Sequence, residues 1–253
     1  MVHGCMIGVR SVHRAAACRT GRYPTAWRLA LWLIVLTARA VASGASAALS
    51  HDFVYLDAVV PDIRTDMRYS GRHNFVGQRI DGYLAPRAIL TREAANALEQ
   101  VQAELRPFGL GLLVFDAYRP QRAVDHFVRW ARDLQDDRMK AEFYPGVAKQ
   151  DLFREDYIAA RSSHSRGSTV DLTLVALEAR PGDGGLDMGT GFDFFGPQSW
   201  PDYAGVTPAQ RAHRLLLRTL MQKHGFTPYP KEWWHFTLAN EPFPDTWFDF
   251  PVL

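Results

Sequence analysis

The stretch from Arg161 to Leu174 limits the possible folds of this chain more than any other. It places an imidazole, His164, and a carboxylate, Asp171, seven residues apart, with hydroxyl-bearing residues and Gly167 between them. Around Asp171 apolar and polar side chains alternate, which predicts a half-buried strand with the carboxylate on its polar face. A catalytic zinc ion takes three protein ligands and keeps one open position, so this pair could be part of such a site. A hydrogen-bonded loop pair is the alternative interpretation.

A second stretch, Tyr229–Phe236, offers the groups that the first one lacks. His235 can be a third ligand, and Glu232 stands three residues before it. A zinc peptidase needs a carboxylate that is not bound to the metal, because a proton must pass from the attacking water to the leaving amine. The chain has no His-Glu-x-x-His motif, which excludes thermolysin-like enzymes. The prolines here favour a strand or turn over a helix, and a purely structural aromatic segment is the alternative.

These motifs together resemble the D-alanyl-D-alanine dipeptidase family, zinc enzymes of the vancomycin-resistance type. The family is related to the D-Ala-D-Ala carboxypeptidases and to the hedgehog-like zinc fold. The resemblance runs from Phe53 to the C-terminus and keeps the motifs in the family's order. Its motifs are Ser162-x-His164-x-x-Gly167-x-x-x-Asp171, Glu232-x-x-His235, Asp116-x-Tyr118-Arg119-Pro120 and Phe248-Asp249-Phe250-Pro251. Thr169 departs from the usual Ala, and we expect a change of packing there without loss of the site.

The resemblance also implies roles for individual residues. One Zn²⁺ per subunit is expected on His164, Asp171 and His235. Glu232 is the expected general base and then acid, and Arg119 the group that stabilises the tetrahedral intermediate. The expected substrate-binding residues are Tyr69, Asp116, Ser162, Ser163 and Asp193. Two of these have simpler alternatives: a core-capping loop tyrosine for Tyr69 and a surface or helix-capping carboxylate for Asp193. Asp116 could also form a local ion pair with Arg119, and we expect it to fix Arg119 in this way as well.

The first 47 residues have a different character from the rest. They carry six arginines and no acidic residue, and Leu29–Thr37 is an apolar run too short to span a bilayer. Ala45–Ala47 offers a small-residue cleavage site. We therefore expect residues 1–47 to be a secretory signal and residues 48–253 an exported, periplasmic dipeptidase domain. Arg39 is unusual in such a signal, Met6 is an alternative start, and a retained N-terminal membrane anchor is the alternative to cleavage.

Removing this leader changes the charge of the protein. The whole chain has 29 basic and 27 acidic residues, and without the six leader arginines the balance becomes −4. The basic excess therefore gives no support for nucleic-acid binding. Both cysteines, Cys5 and Cys18, precede residue 47, so only histidine and carboxylate ligands remain for zinc. We expect no stable membrane insertion after signal removal, and the oligomeric state stays open.

The hydrophobic pattern predicts a single α+β domain. We expect a mostly antiparallel sheet, with helices packed on one face and the zinc cleft on the other. Three helices are predicted: one over Thr91–Leu105, one after Pro120 with Leu134 in its buried stripe, and one after Thr207 that packs through Leu215, Leu216, Leu220 and Met221. A buried strand is predicted at Leu110–Phe115.

The expected substrate follows from the resemblance: the dipeptide D-Ala-D-Ala, cut to two D-alanines. One alternative is a zinc D,D-carboxypeptidase or endopeptidase that acts on peptidoglycan stem peptides. Another is a non-catalytic zinc-binding module, although such a module would need neither Glu232 nor Arg119. Export fits cell-wall turnover or scavenging better than antibiotic resistance, because resistance requires destruction of a cytoplasmic precursor.

Overall fold

The computed structural model describes residues 52–180 and 182–253. The predicted secretory signal, its cleavage site and both cysteines lie outside the described residues. The described residues belong to one compact unit. Across the part of the chain that the structure describes, no helix is both long and apolar enough to cross a bilayer.

The unit combines seven strands with five helices among the described residues. The strands are β1 (Phe53–Tyr55), β2 (Arg64–Thr65), β3 (Ile89–Thr91), β4 (Leu110–Asp116), β5 (Thr169–Ala176), β6 (Phe226–Pro228) and β7 (His235–Leu238). The helices are α1 (Leu56–Val59), α2 (Arg92–Leu105), α3 (Gln121–Arg132), α4 (Lys140–Phe143) and α5 (Pro208–Lys223). This mixture within one unit confirms the α+β class.

The main sheet has the strand order β2-β4-β5-β7-β6. The β2–β4 pair is parallel and the other neighbouring pairs are antiparallel, so the prediction of a mostly antiparallel sheet is correct. A register shift after Val114 brings Asp116 opposite Asp171, and Asp171 also lies opposite His235. Three polar residues of the predicted site therefore form one row across three strands.

Helices α2 and α5 begin where their capping residues predict. Thr91 Oγ1 accepts a hydrogen bond from the backbone amide of Ala94, and Thr207 forms a reciprocal capping box with Gln210. Helix α2 contacts β4, α5 contacts β5 and β6, and the two helices touch each other. These two helices thus share one face of the sheet, while α3 lies at the cleft, which Val124 and Phe127 line.

Four details of the predicted burial are wrong. Strand β5 is buried on both faces: a loop packs over Thr173, where a Cβ on Gly185 would lie 2.2 Å from Thr173 Cγ2, and Asp171 lies at the base of the cleft. Leu134 lies beyond the end of α3 and is 52% exposed. Leu215 and Leu216 are also exposed, because α5 turns Leu217 toward the core in their place; the predicted burial of Leu220 and Met221 is correct.

Candidate active site

His164 stands on a short 3₁₀ turn, Ser163–Arg166, whose two ends are fixed by sequence. Ser162 Oγ accepts a hydrogen bond from the amide of His164, and Gly167 ends the turn in the left-handed region at φ 86°. A Cβ at Gly167 would lie 2.3 Å from the Phe53 ring, so the chain passes too close for any side chain. The turn therefore holds His164 in a fixed position at the end of β5.

A hydrogen bond to the backbone, on the side away from the cleft, sets the orientation of the His164 ring. Its Nδ1 lies 2.7 Å from the backbone carbonyl oxygen of Ala117 and donates to it. The proton is thus on Nδ1, and Nε2 keeps a lone pair directed into the cleft. A hydrogen bond of this kind is what metal-binding histidines use to fix their tautomer.

Asp171 and His235 complete a convergent group of donors. Asp171 Oδ2 lies 3.1 Å from His164 Nε2, and Asp171 Oδ1 lies 3.1 Å from His235 Nδ1. The ligand atoms of all three residues lie within 4.8 Å of one another. Burial opposes ionisation of Asp171, but the two histidines outweigh it and hold the pKa of Asp171 well below its usual range.

The three donor residues are arranged better for binding a metal ion than for hydrogen bonding to one another. Among the described residues Asp171 Oδ1 has no hydrogen-bond partner, despite the nearby imidazole of His235. His164 Nε2 and His235 Nδ1 lie 3.3 Å apart, so the two ring nitrogens and the Asp171 carboxylate converge on one point. Two imidazoles and a carboxylate that leave a fourth direction open are a ligand set suited to catalytic zinc.

Glu232 lies beside this group without belonging to it. Its Oε2 is 3.4 Å from His235 Nδ1, and its side chain is 16% exposed and lines the cleft. Burial raises the pKa of Glu232 to about 7, against the opposing charge of His235. A carboxyl group with a pKa in this range can both accept and return a proton near neutral pH.

Arg119 is held at the cleft from the end of β4. Its Nε donates to Asp116 Oδ2 at 2.9 Å, and its Nη2 lies 3.5 Å from Asp171 Oδ2. Asp116 is fully buried, does not line the cleft, and accepts a second hydrogen bond from Tyr83 at 2.6 Å. The structure thus places Asp116 behind Arg119, where it positions the guanidinium, and not on the surface that a substrate would touch.

Tyr69 and Asp193 come together although 124 residues separate them in sequence. The Tyr69 hydroxyl lies 2.9 Å from Asp193 Oδ2 and 3.1 Å from Oδ1, and both residues line the cleft. Asp193 is buried, and its backbone adopts φ 62°, which few residues other than glycine do. Burial, with the charge of Asp171, raises the pKa of Asp193 well above its usual range. The two residues therefore present a buried carboxyl group to the cleft.

Ser162 and Ser163, which the resemblance implies as substrate-binding residues, also line the cleft. Ser163 Oγ lies 3.3 Å from His235 Nε2, the nitrogen that carries the proton if Nδ1 faces a metal. At the position where the family usually has Ala, Thr169 Oγ1 lies 2.9 Å from Thr237 Oγ1 across the β5–β7 pair. The hydroxyl is thereby satisfied, and the donor group beside it remains assembled.

The cleft has a volume of about 420 Å³, which suits a small ligand. Sequence reasoning missed part of its wall and two residues that support it. The additional lining residues with polar side chains are Asp156, Tyr157, Arg161, Thr227, Tyr229 and Thr237. The supporting groups are the Tyr83 hydroxyl and the Ala117 carbonyl. Tyr83 belongs to no recognisable local pattern, and Ala117 fills the variable position of the Asp116-x-Tyr118 motif.

Three metal donors beside a carboxyl group of raised pKa are what a metal-dependent peptidase requires, and the chain is an enzyme of this class. Its family follows from comparison with known sequences. The family model of the D-ala-D-ala dipeptidases, in peptidase group M15, matches residues 49–253, and the chain belongs to this family.

Individual relatives agree with this assignment. The chain is 46% identical over 205 residues to a D-alanyl-D-alanine dipeptidase of Streptomyces coelicolor, over 81% of this chain and 100% of the relative. It is 41% identical, with the same coverage, to the dipeptidase of Enterococcus faecalis. A solved mutant of the vancomycin-resistance D,D-pentapeptidase VanY, in complex with Zn(II), shows a weak likeness. That likeness has a TM-score of 0.38 and 14% identity, over 62% of this chain and 77% of that one.

Proposed function

We propose that this enzyme hydrolyses D-Ala-D-Ala to two D-alanines and that His164, Asp171 and His235 hold its zinc ion. The observation that carries the proposal is the convergence of these three donors within 4.8 Å, in a chain of the D-Ala-D-Ala dipeptidase family. When bound there, zinc supplies Lewis-acid activation of a water molecule and of the scissile carbonyl group. The remaining chemistry belongs to the side chains around it.

Glu232 moves the proton. It lies close enough to the donor group to accept a proton from the attacking water, and it then delivers that proton to the amine that leaves. Both steps need a carboxyl group that changes state near neutral pH, and burial gives Glu232 a pKa of about 7. Glu232 is thus both the general base and the general acid of the reaction.

Arg119 stabilises the negative charge that develops on the carbonyl oxygen. Its guanidinium is fixed in advance by Asp116, which Tyr83 and the surrounding core hold in turn. Its Nη2 already reaches to 3.5 Å from the ligand oxygen Asp171 Oδ2, so it borders the reacting centre. A donor that needs no reorientation as charge develops contributes most of its interaction to the transition state.

Tyr69 and Asp193 recognise the free amino group of the dipeptide. Burial takes away the hydration that stabilises the charged form of Asp193. An ammonium group bound beside the carboxylate replaces that stabilisation. Tyr69 orients the carboxylate by hydrogen bonding to both of its oxygens. The clamp thus selects dipeptides over peptides whose amine is blocked or extended.

The enzyme acts outside the cytoplasm under this proposal, in turnover or recycling of cell-wall precursors. The support is the basic, acid-free segment that precedes residue 47 and its apolar run. N-terminal sequencing of the protein recovered from a periplasmic fraction tests this directly. A mature N-terminus near residue 48 is expected, and recovery of the intact chain in the cytoplasm contradicts it.

One assay tests the proposed reaction. The purified mature protein with zinc is offered D-Ala-D-Ala, L-Ala-L-Ala and a stem pentapeptide, and released alanine is quantified. We expect release from D-Ala-D-Ala and little from the other two. Efficient cleavage of the pentapeptide instead would replace the dipeptidase with a D,D-carboxypeptidase.

A further inference from the structure

Besides the metal ion that we propose at His164, Asp171 and His235, few cationic groups line the cleft. Its lining includes four acidic side chains: Asp156, Asp171, Asp193 and Glu232. Of the described residues that line it, the arginines are Arg119 and Arg161, and no lysine is among them. A dipeptide brings a terminal carboxylate of its own, and a cationic side chain away from the donor group can bind it by charge-assisted hydrogen bonds.

Arg119 is not free to serve that carboxylate. It is paired with Asp116 at 2.9 Å and reaches Asp171 at 3.5 Å. Arg161, in contrast, has no carboxylate within ion-pair distance among the residues that the structure describes. Its guanidinium carbon lies 4.3 Å from the centre of the Trp247 ring instead. This contact with the face of the ring holds the guanidinium in place. It leaves the N–H donors of the guanidinium, which lie in its own plane, available for a ligand.

The position of Arg161 in the chain also suits this role. It directly precedes Ser162 and Ser163 and stands three residues before His164. In a dipeptide the terminal carboxylate lies one residue, ~3.8 Å of backbone, beyond the scissile bond. A side chain as long as arginine, based next to the donor group, has the length to meet it.

We infer that Arg161, held against Trp247, binds the C-terminal carboxylate of the substrate and so determines specificity for a free acid. The inference rests on the proposed dipeptidase function and assigns the substrate end opposite to the one bound by Asp193. Clamps at both ends limit the substrate to two residues. A D-Ala-D-Ala amide or a tripeptide extended at its C-terminus loses the charge that Arg161 recognises.

The test compares D-Ala-D-Ala with its C-terminal amide in wild type, Arg161→Gln and Arg161→Lys. Arg154→Gln is the matched control, because Arg154 is an exposed arginine paired with Asp151 and does not line the cleft. We expect Arg161→Gln to lower kcat/KM for the acid about tenfold, mainly through KM, and to leave the amide within about twofold. Arg161→Lys should recover part of the loss, and Arg154→Gln should match wild type.

Equal losses on acid and amide, or no loss on either, overturn the inference. A second measurement separates this failure from failure of the proposed reaction. In the Glu232→Gln background, which suppresses turnover, the dissociation constants of acid and amide are measured by calorimetry with and without Arg161→Gln. Weaker binding of the acid alone supports Arg161 even if wild type shows no turnover, and unchanged binding of the acid rejects it.

Discussion

Asp171 and His235 face each other directly across β5 and β7, with Asp171 Oδ1 3.1 Å from His235 Nδ1. Strand register alone fixes this pairing, since residues opposite each other in an antiparallel pair bring their side chains to the same face. The third donor, His164, needs its own turn and a carbonyl acceptor behind it to reach the same point. The rigidity of the sheet is therefore what makes the donor group precise.

A mutation of Glu232 should reduce catalysis without removing the metal. Glu232→Gln is expected to keep zinc and to lose ~10²–10⁴-fold in kcat, the usual contribution of a general base. The reason is that Glu232 borders the donor group through His235 without supplying one of its three ligand atoms. Metal analysis and steady-state kinetics on the same preparation check it, and a folded but metal-free variant would remove Glu232 from its assigned role.

Arg119 should act in the transition state more than in binding. Arg119→Lys is expected to lower kcat by ~10²-fold with little change in KM, because lysine keeps the charge but lacks the fork that Asp116 holds. Asp116→Asn should show the same pattern more weakly, since it loosens the guanidinium without removing it. A rise in KM at constant kcat for Arg119→Lys would assign the residue to substrate binding instead.

The free amino group should be required. N-acetyl-D-Ala-D-Ala is expected to fall at least ~10²-fold below D-Ala-D-Ala in kcat/KM, because acetylation removes the ammonium and leaves the buried Asp193 carboxyl without a cationic partner. In Asp193→Asn the two substrates should become nearly equal, through loss of activity on the free dipeptide. If wild type cleaves both substrates equally well, Asp193 does not clamp an amine.

Gly167 should be intolerant of any side chain. Gly167→Ala is expected to destabilise the protein by about 1–3 kcal/mol or more, from the close approach of Phe53 together with the left-handed backbone. Gly109→Ala is the matched control: it has a similar φ of 69° with nothing within 4 Å, so it isolates the backbone cost. Urea unfolding of both variants measures the difference, and equal losses would mean that contact with Phe53 contributes nothing.

Helix and strand starts are predicted from the sequence because each lies in a segment with a clear local pattern. Thr91 and Thr207 cap helices, and His235 begins a strand after a proline-containing turn. Family resemblance supplied Tyr69 and Asp193, whose contact spans 124 residues and leaves no trace in local pattern. Tyr83, which completes the hydrogen bonding of Asp116, went unnoticed for the same reason.

Burial was harder to predict than residue type. The alternation around Asp171 predicts a half-buried strand, but a loop packs over Thr173, and only the folded chain reveals it. Leu215 and Leu216 fit a helical stripe with Leu220 and Met221 in the sequence, yet the helix buries Leu217 with Leu220 and Met221 and leaves Leu215 and Leu216 exposed. Periodicity gives the helix, and tertiary contacts then decide which of its apolar residues are buried.

Zinc content of the purified mature protein tests the central claim most directly. Wild type, Asp171→Ala and the surface control Asp202→Ala are dialysed against trace zinc and analysed by mass spectrometry for metal per subunit. We predict about one zinc in wild type and in the control, and almost none in Asp171→Ala, because two remaining ligands hold the ion poorly. A full complement of zinc in Asp171→Ala would contradict the assigned metal site.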